Sequence, residues 1–163
     1  MNLERMRLAV DRVLEWVLIT IVAVMTLNVL WQVFTRFIMK SPSSYTEELA
    51  RYLLVWLGLL GGAYAVGKKM HLSIDLLPAW LKGKSRLILE LVIQGCILLF
   101  ATSVILIGGA DLVGLTLTLD QLSAALRIKL GYVYLALPLS GALMSFYSVT
   151  FILETLRAFK EHA

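Results

Sequence analysis

Two groups of polar residues stand in an otherwise apolar chain, and their spacing limits the chemistry they can do. Asn28, Gln32 and Arg36 fall at i, i+4 and i+8, so they share one helix face, with Thr35 beside them. Glu47 and Glu48 precede Arg51 by four and three residues. Both intervals bring side chains together on a helix, in the favourable acid-before-base order. The connection between the two groups is short, so Arg36 is expected to reach Glu47 or Glu48 and close a small ionic cluster. A charge at mid-membrane costs about 2.5–3.5 kcal/mol even on the lenient insertion scale. Such a cluster therefore belongs at helix ends, where Arg36 can extend its head toward water. Two roles remain open for it: pinning the first two helices together, or helping to receive a partner or substrate. A proton relay is not expected, because the acids lie at a helix end and no chain of carboxylates continues inward.

Other chemistries lack their groups. Haem in a helical membrane bundle asks for inward-facing histidines, whereas His71 falls in a connection and His162 next to the last residue. His71 and Asp75 stand at i, i+4, a weak metal signal, and read as an interfacial hydrogen-bonding pair. No histidine or inward acid accompanies the scattered Ser and Thr to activate a nucleophile. The segment Gly58-Leu59-Leu60-Gly61-Gly62 lacks the lysine and the setting of a phosphate loop. Gly58 and Gly62 instead form a small-xxx-small face for close helix contact, and Gly141 and Ser145 another. We expect no catalytic residue, no metal and no cofactor.

The elements that carry these residues are set by composition. The 163 residues are 60% hydrophobic and 16% charged, with a mean hydropathy of +0.84. Soluble domains are nearer half apolar and a quarter charged, so lipid must solvate part of this chain. The expected fold is all-α: a single membrane domain over 1–163 with four spans at about 13–35, 48–67, 86–109 and 131–154. The first run ends in Trp31, Phe34, Arg36 and Phe37 rather than in small residues, so it reads as a retained helix and not a signal peptide. Pro138 falls in the first turns of the fourth span, where its missing donor is tolerated.

Between the second and third spans, Met70, Ile74, Leu77 and Leu81 recur at helical spacing among polar residues. That pattern predicts a short amphipathic segment in the membrane interface. Lys68, Lys69, His71, Trp80, Lys82, Lys84 and Arg86 would lie there, available for lipid contact. The opposite connection, 111–130, is expected to hold a short helix or an extension of the third span, partly buried through Leu119, Leu122 and Leu126. Trp31, Tyr45 and Tyr52 mark one interface and Trp80 the other, as aromatic belts do, while Trp16 and Trp56 are expected to fill gaps between helices.

Orientation follows from the basic residues. Arg5, Arg7, Arg12, Lys68, Lys69, Lys82, Lys84, Arg86, Arg157 and Lys160 fall on one side, and Arg36, Lys40, Arg51, Arg127 and Lys129 on the other. The side richer in positive charge is the cytoplasmic one, which puts both termini there. A net charge of +4 distributed this way is a topology signal rather than a nucleic-acid surface. The single cysteine, Cys96, excludes an intramolecular disulfide. No internal repeat is visible, although many secondary transporters build their substrate site between two related halves.

Arg36 closing the first span, followed by Pro42-Ser43-Ser44-Tyr45-Thr46-Glu47-Glu48-Leu49-Ala50-Arg51-Tyr52, resembles the small membrane subunit of tripartite ATP-independent periplasmic (TRAP) transporters. Trp56, Gly61, Gly62 and His71 fit the same pattern, as do the four spans and the length. Tyr45 stands where that family often has tryptophan. The resemblance implies a DctQ-like accessory subunit of the bacterial inner membrane. It would support a large membrane subunit that takes up an organic acid, such as a C4-dicarboxylate or sialic acid, by symport with a cation, sodium being the expected ion. A periplasmic binding protein would deliver the substrate. The rival readings are a membrane anchor for a redox enzyme and a self-assembling small transporter.

Overall fold

The computed structural model describes residues 3–41, 43–69 and 84–161 and is entirely helical apart from one isolated β-bridge. Helix α1 runs over Leu3–Phe37 and α2 over Ser44–Gly67. A third span is built of α3 (Lys84–Phe100), a π-helical stretch (Ala101–Gly108) and α4 (Gly109–Thr118). The five-residue α5 (Leu130–Tyr134) then leads into α6 (Ala136–Glu161). Four of the described segments are long and apolar enough to cross a membrane: Arg5–Phe37, Ser44–Gly67, Ser85–Thr118 and Leu130–Arg157. The shortest has 24 residues, about 36 Å of helix against a hydrocarbon core of about 30 Å. The first and third overrun the expected spans by about two turns each, the first into its polar amino-terminal flank and the third through the largely apolar Gly109–Thr118. The amphipathic segment expected between α2 and α3 lies outside the described residues, and so do the structures of His71, Trp80 and Lys82.

The extensive contacts run from α1 to α2, from α2 to α6, and from α6 to α3 and the π-helix, so the spans stand in a row. Helix α6 is central. Of its apolar window 39% is buried, against 11–17% for the other three spans. Its buried side chains are mostly small or aromatic: Ala136, Ser140, Tyr147, Ser148, Thr150, Phe151 and Thr155. Small residues let helices approach closely where lipid supplies no hydrophobic drive between them. Several hydroxyls are satisfied by their own helix, Ser140 Oγ donating to Leu137 O (2.8 Å) and Thr150 Oγ1 to Phe146 O (2.8 Å).

The closest approach in the row is at Gly141. A Cβ there would stand 2.6 Å from Leu106 N and 3.0 Å from Ala101 O. Those atoms are five residues apart, the interval at which a π-helix closes its backbone bond. The wide turn and the missing side chain therefore fit each other. One helical turn on, Ser145 Oγ lies 3.1 Å from Thr102 Oγ1 and donates to Gly141 O (2.7 Å). The Gly141/Ser145 face packs as expected. Gly58 does not: it is exposed, with nothing within 4 Å of its missing Cβ, while Gly62 meets only the end of Met144. The glycine of α2 that is truly covered is Gly67, under the ring of Tyr147.

Candidate functional site

Polar contacts concentrate at the two ends of the row. At the end carrying the α1–α2 connection, α1 closes through Lys40 in a left-handed conformation (φ 52°). Asn28 Nδ2 donates to the Thr46 carbonyl (2.7 Å), tying α1 to the first turn of α2, and Thr46 Oγ1 donates to Ser43 O (2.8 Å). Of the expected stripe, Asn28 thus makes a helix–helix bond, and Gln32 is half-buried, its backbone carbonyl accepting from Thr35 Oγ1 (3.0 Å).

The expected ionic cluster forms differently. Glu47 pairs with Arg51 on the exposed face of α2. Arg36 is exposed and makes no ion pair among the described residues. Glu48 turns the other way, into the 119–129 connection. Its carboxylate accepts the backbone N–H groups of Ala124 (3.0 Å), Ala125 (2.8 Å) and Leu126 (2.7 Å), and the Tyr52 hydroxyl (2.7 Å). Three successive amides converging on one anion form a nest, which engages Glu48 within the fold. The physical reason is competition: one flexible guanidinium in reach of water is a weaker partner than four fixed donors.

The connection held by Glu48 is a small hairpin. Leu122 and Lys129 form an antiparallel bridge, Ser123 N donates to Ile128 O (2.9 Å), and Leu130 N donates to Gln121 O (2.9 Å). Asp120 and Arg127 take positive φ (49° and 53°) at its bends. Lys129 Nζ lies 2.9 Å from Asp120 Oδ1, and this bond holds its ammonium protonated above the ordinary lysine range. The third span is indeed extended, by α4, but Leu119 and Leu122 are exposed, so the partial burial expected of them is not seen in this chain.

At the other end the structure shows a network that the sequence did not signal. Asp11 is buried (6% exposed), Tyr147 Oη donates to its Oδ1 (2.5 Å), and Lys68 Nζ to its Oδ2 (2.9 Å). Its bond to Asp11 keeps Lys68 protonated above the ordinary lysine range. Arg7 pairs with Glu154 (3.2 Å), and Lys69 pairs with Glu90. Phe151 receives the cations of both Arg7 (5.3 Å) and Lys69 (4.5 Å) against its ring. These contacts join α1, the end of α2, α3 and α6. Lys68 and Lys69, placed by the sequence at the interface and available for lipid contact, each make an ion pair within the chain and stay partly exposed. Arg86 is exposed, and the side chain of Lys84 lies outside the described residues. Trp16 is 65% exposed and fills no gap, whereas Trp56 is half-buried.

No group of three or more His, Cys, Asp or Glu is placed to hold a metal among the described residues. Four membrane-length helices tied at both ends by internal polar contacts define a multi-pass membrane protein. The chain belongs to the DctQ component family of the tripartite ATP-independent periplasmic transporters, whose profile matches residues 25–158. It is thus a TRAP transporter small permease subunit and not an enzyme, which sets aside the redox-anchor reading.

Three relatives illustrate the likeness. The chain is 30% identical over 108 residues to the sialic acid TRAP transporter small permease protein SiaQ of Vibrio cholerae, covering 66% of this chain and 62% of that protein. It is 33% identical over 102 residues to the C4-dicarboxylate TRAP transporter small permease protein DctQ of Rhodobacter capsulatus, covering 63% and 44%. It is 26% identical over 130 residues to the isethionate TRAP transporter permease protein DctMQ of Oleidesulfovibrio alaskensis, covering 78% of this chain but 20% of that protein.

Proposed function

We propose that this chain is the stationary scaffold beside a large membrane subunit, which holds the substrate and cation sites and takes up an organic acid delivered by a periplasmic binding protein. The observation that carries this reading is the isethionate permease, in which a stretch like this chain occupies a fifth of a longer protein. That protein's name joins M and Q, which supports association of this chain with a large M subunit. The bundle itself supports the reading. Among the described residues the ion pairs lie at its two ends, and Ser140, Ser145 and Thr150 of α6 donate to their own backbone. A transporter that bound substrate by itself would instead offer unwound helix ends and a shared polar site near the midplane.

In this reading both termini face the cytoplasm of a bacterial inner membrane, and the hairpin 119–129 faces the periplasm. Arg36, Lys40 and Arg127, all exposed there, offer positive charge to the binding protein, while Glu48 acts only by holding the hairpin in place. A carboxylate such as sialic acid or a C4-dicarboxylate is the substrate class, with sodium as the coupling ion. The tagged chain, extracted from its native membrane in mild detergent, should bring down a large multi-span partner in equal amount. Recovery of the chain alone under conditions that keep membrane complexes intact would contradict the scaffold role.

A further inference from the structure

Between α1 and α6, floored by α2, runs an open groove of about 510 Å³ whose walls include Ala9, Val13 and Val17 of α1, Trp56 of α2, and Leu139 and Leu143 of α6. Every lining side chain is apolar. We infer that this groove is a binding site for the acyl chain of one anionic phospholipid in the leaflet at the amino-terminal end, with its headgroup near Arg157.

Three observations single out a lipid. The first is length. The α1 wall from Ala9 to Val17 covers about 12 Å of helix, close to one leaflet of a hydrocarbon core about 30 Å thick. A partner helix would need a face running the full thickness. The second is how the groove is bounded. The Arg7–Glu154 pair and the Tyr147–Asp11 bond join α1 to α6 beside it, and no polar side chain lines the space itself. The groove is open along its side to the bilayer, where a flexible chain can fill it. The third is charge. Leu139, Leu143, Thr150, Glu154 and Arg157 follow one another at helical spacing along α6. Arg157, exposed and without an ion pair among the described residues, thus stands on the groove's own face at its polar end. Arg5 and Arg12 add positive charge on the adjoining surface of α1.

Trp56 on the floor supplies the test. The full chain carries four tryptophans. In a variant with W16F, W31F and W80F, Trp56 alone reports, and a variant keeping only Trp31 serves as a reference for bulk lipid. Both are reconstituted in phosphatidylcholine vesicles containing increasing fractions of dibrominated phosphatidylglycerol or dibrominated phosphatidylcholine, whose bromines quench indole fluorescence. Trp56 should be quenched at a low, saturating fraction of the anionic lipid. The half-point should lie roughly fivefold below that for the zwitterionic one, as one arginine near a charged headgroup provides.

Trp31 should follow the bulk fraction for both lipids. R157Q should abolish most of the headgroup preference, and V13F, at an exposed position, should fill the groove and abolish the saturating phase while circular dichroism stays unchanged. Identical curves for Trp56 and Trp31 would overturn the inference. So would loss of Trp56 quenching when the large subunit is co-expressed, since a segment of that partner would then fill the groove.

Discussion

Removing a single oxygen at Tyr147 isolates one buried contact between α1 and α6. The Tyr147 side chain is fully buried, and its hydroxyl donates at 2.5 Å to Asp11, itself 6% exposed, across 136 residues of sequence. Tyr147→Phe keeps the ring over Gly67 and leaves Asp11 Oδ1 short of a donor. A hydrogen bond to a charged acceptor contributes about 1.5–3 kcal/mol in soluble proteins. Bonds between membrane helices average about 0.6 and reach about 1.7 kcal/mol. The ionised acceptor and its burial put this bond where the two ranges meet, at about 1.5 kcal/mol.

For a chain of this length that corresponds to a fall in Tm of roughly 3–6 °C, measurable by thermal unfolding in detergent. Lys68 is 37% exposed, so its side of the network is partly screened. Lys68→Met should therefore cost less than Tyr147→Phe. The cycle of Tyr147→Phe with Asp11→Asn should show coupling, the two changes together costing less than their sum. If Tyr147→Phe lay within about 0.5 kcal/mol of the parent, as uninvolved surface changes do, the hydroxyl would not hold the row together and this reasoning would fail.

Gly141→Ala should destabilise the chain by about 1–3 kcal/mol through overpacking against the π-helical backbone. Gly58→Ala, with nothing within 4 Å, should be neutral or slightly stabilising by the same unfolding assay. Glu48→Gln puts a donor among converging donors, so amide exchange at Ala124, Ala125 and Leu126 should speed up while exchange in α6 does not. Equal protection in both proteins would show that the hairpin holds itself. Asn28→Ala should cost about 0.6–1.7 kcal/mol by loss of its bond to Thr46 O, and Arg36→Ala should leave stability unchanged.

The spans were legible because a run of apolar residues long enough to cross a bilayer has few other fates. The Gly141/Ser145 face was legible by spacing, yet Gly58/Gly62 had the same spacing and packs little. Spacing says that a helix face permits close approach, and only the neighbour decides whether it is used. The π-helix left no mark in the sequence, since one wide turn hardly changes the apolar pattern of a span exposed to lipid. The bond between Asp11 and Tyr147 was out of reach for another reason. Neither residue stands out locally, because Asp11 reads as a polar flank and Tyr147 as one more aromatic. Glu48 was identified as important, but three of its four partners are backbone amides 76–78 residues away, which carry no side-chain signature.

The scaffold role is tested most directly by reconstitution. The large subunit, its periplasmic binding protein and this chain are incorporated in liposomes, and uptake of labelled organic acid is followed with a sodium gradient, each component being omitted in turn. We expect uptake only when all three are present, and none from this chain with the binding protein alone. Uptake by this chain without the large subunit would contradict the scaffold role and make it a transporter in its own right.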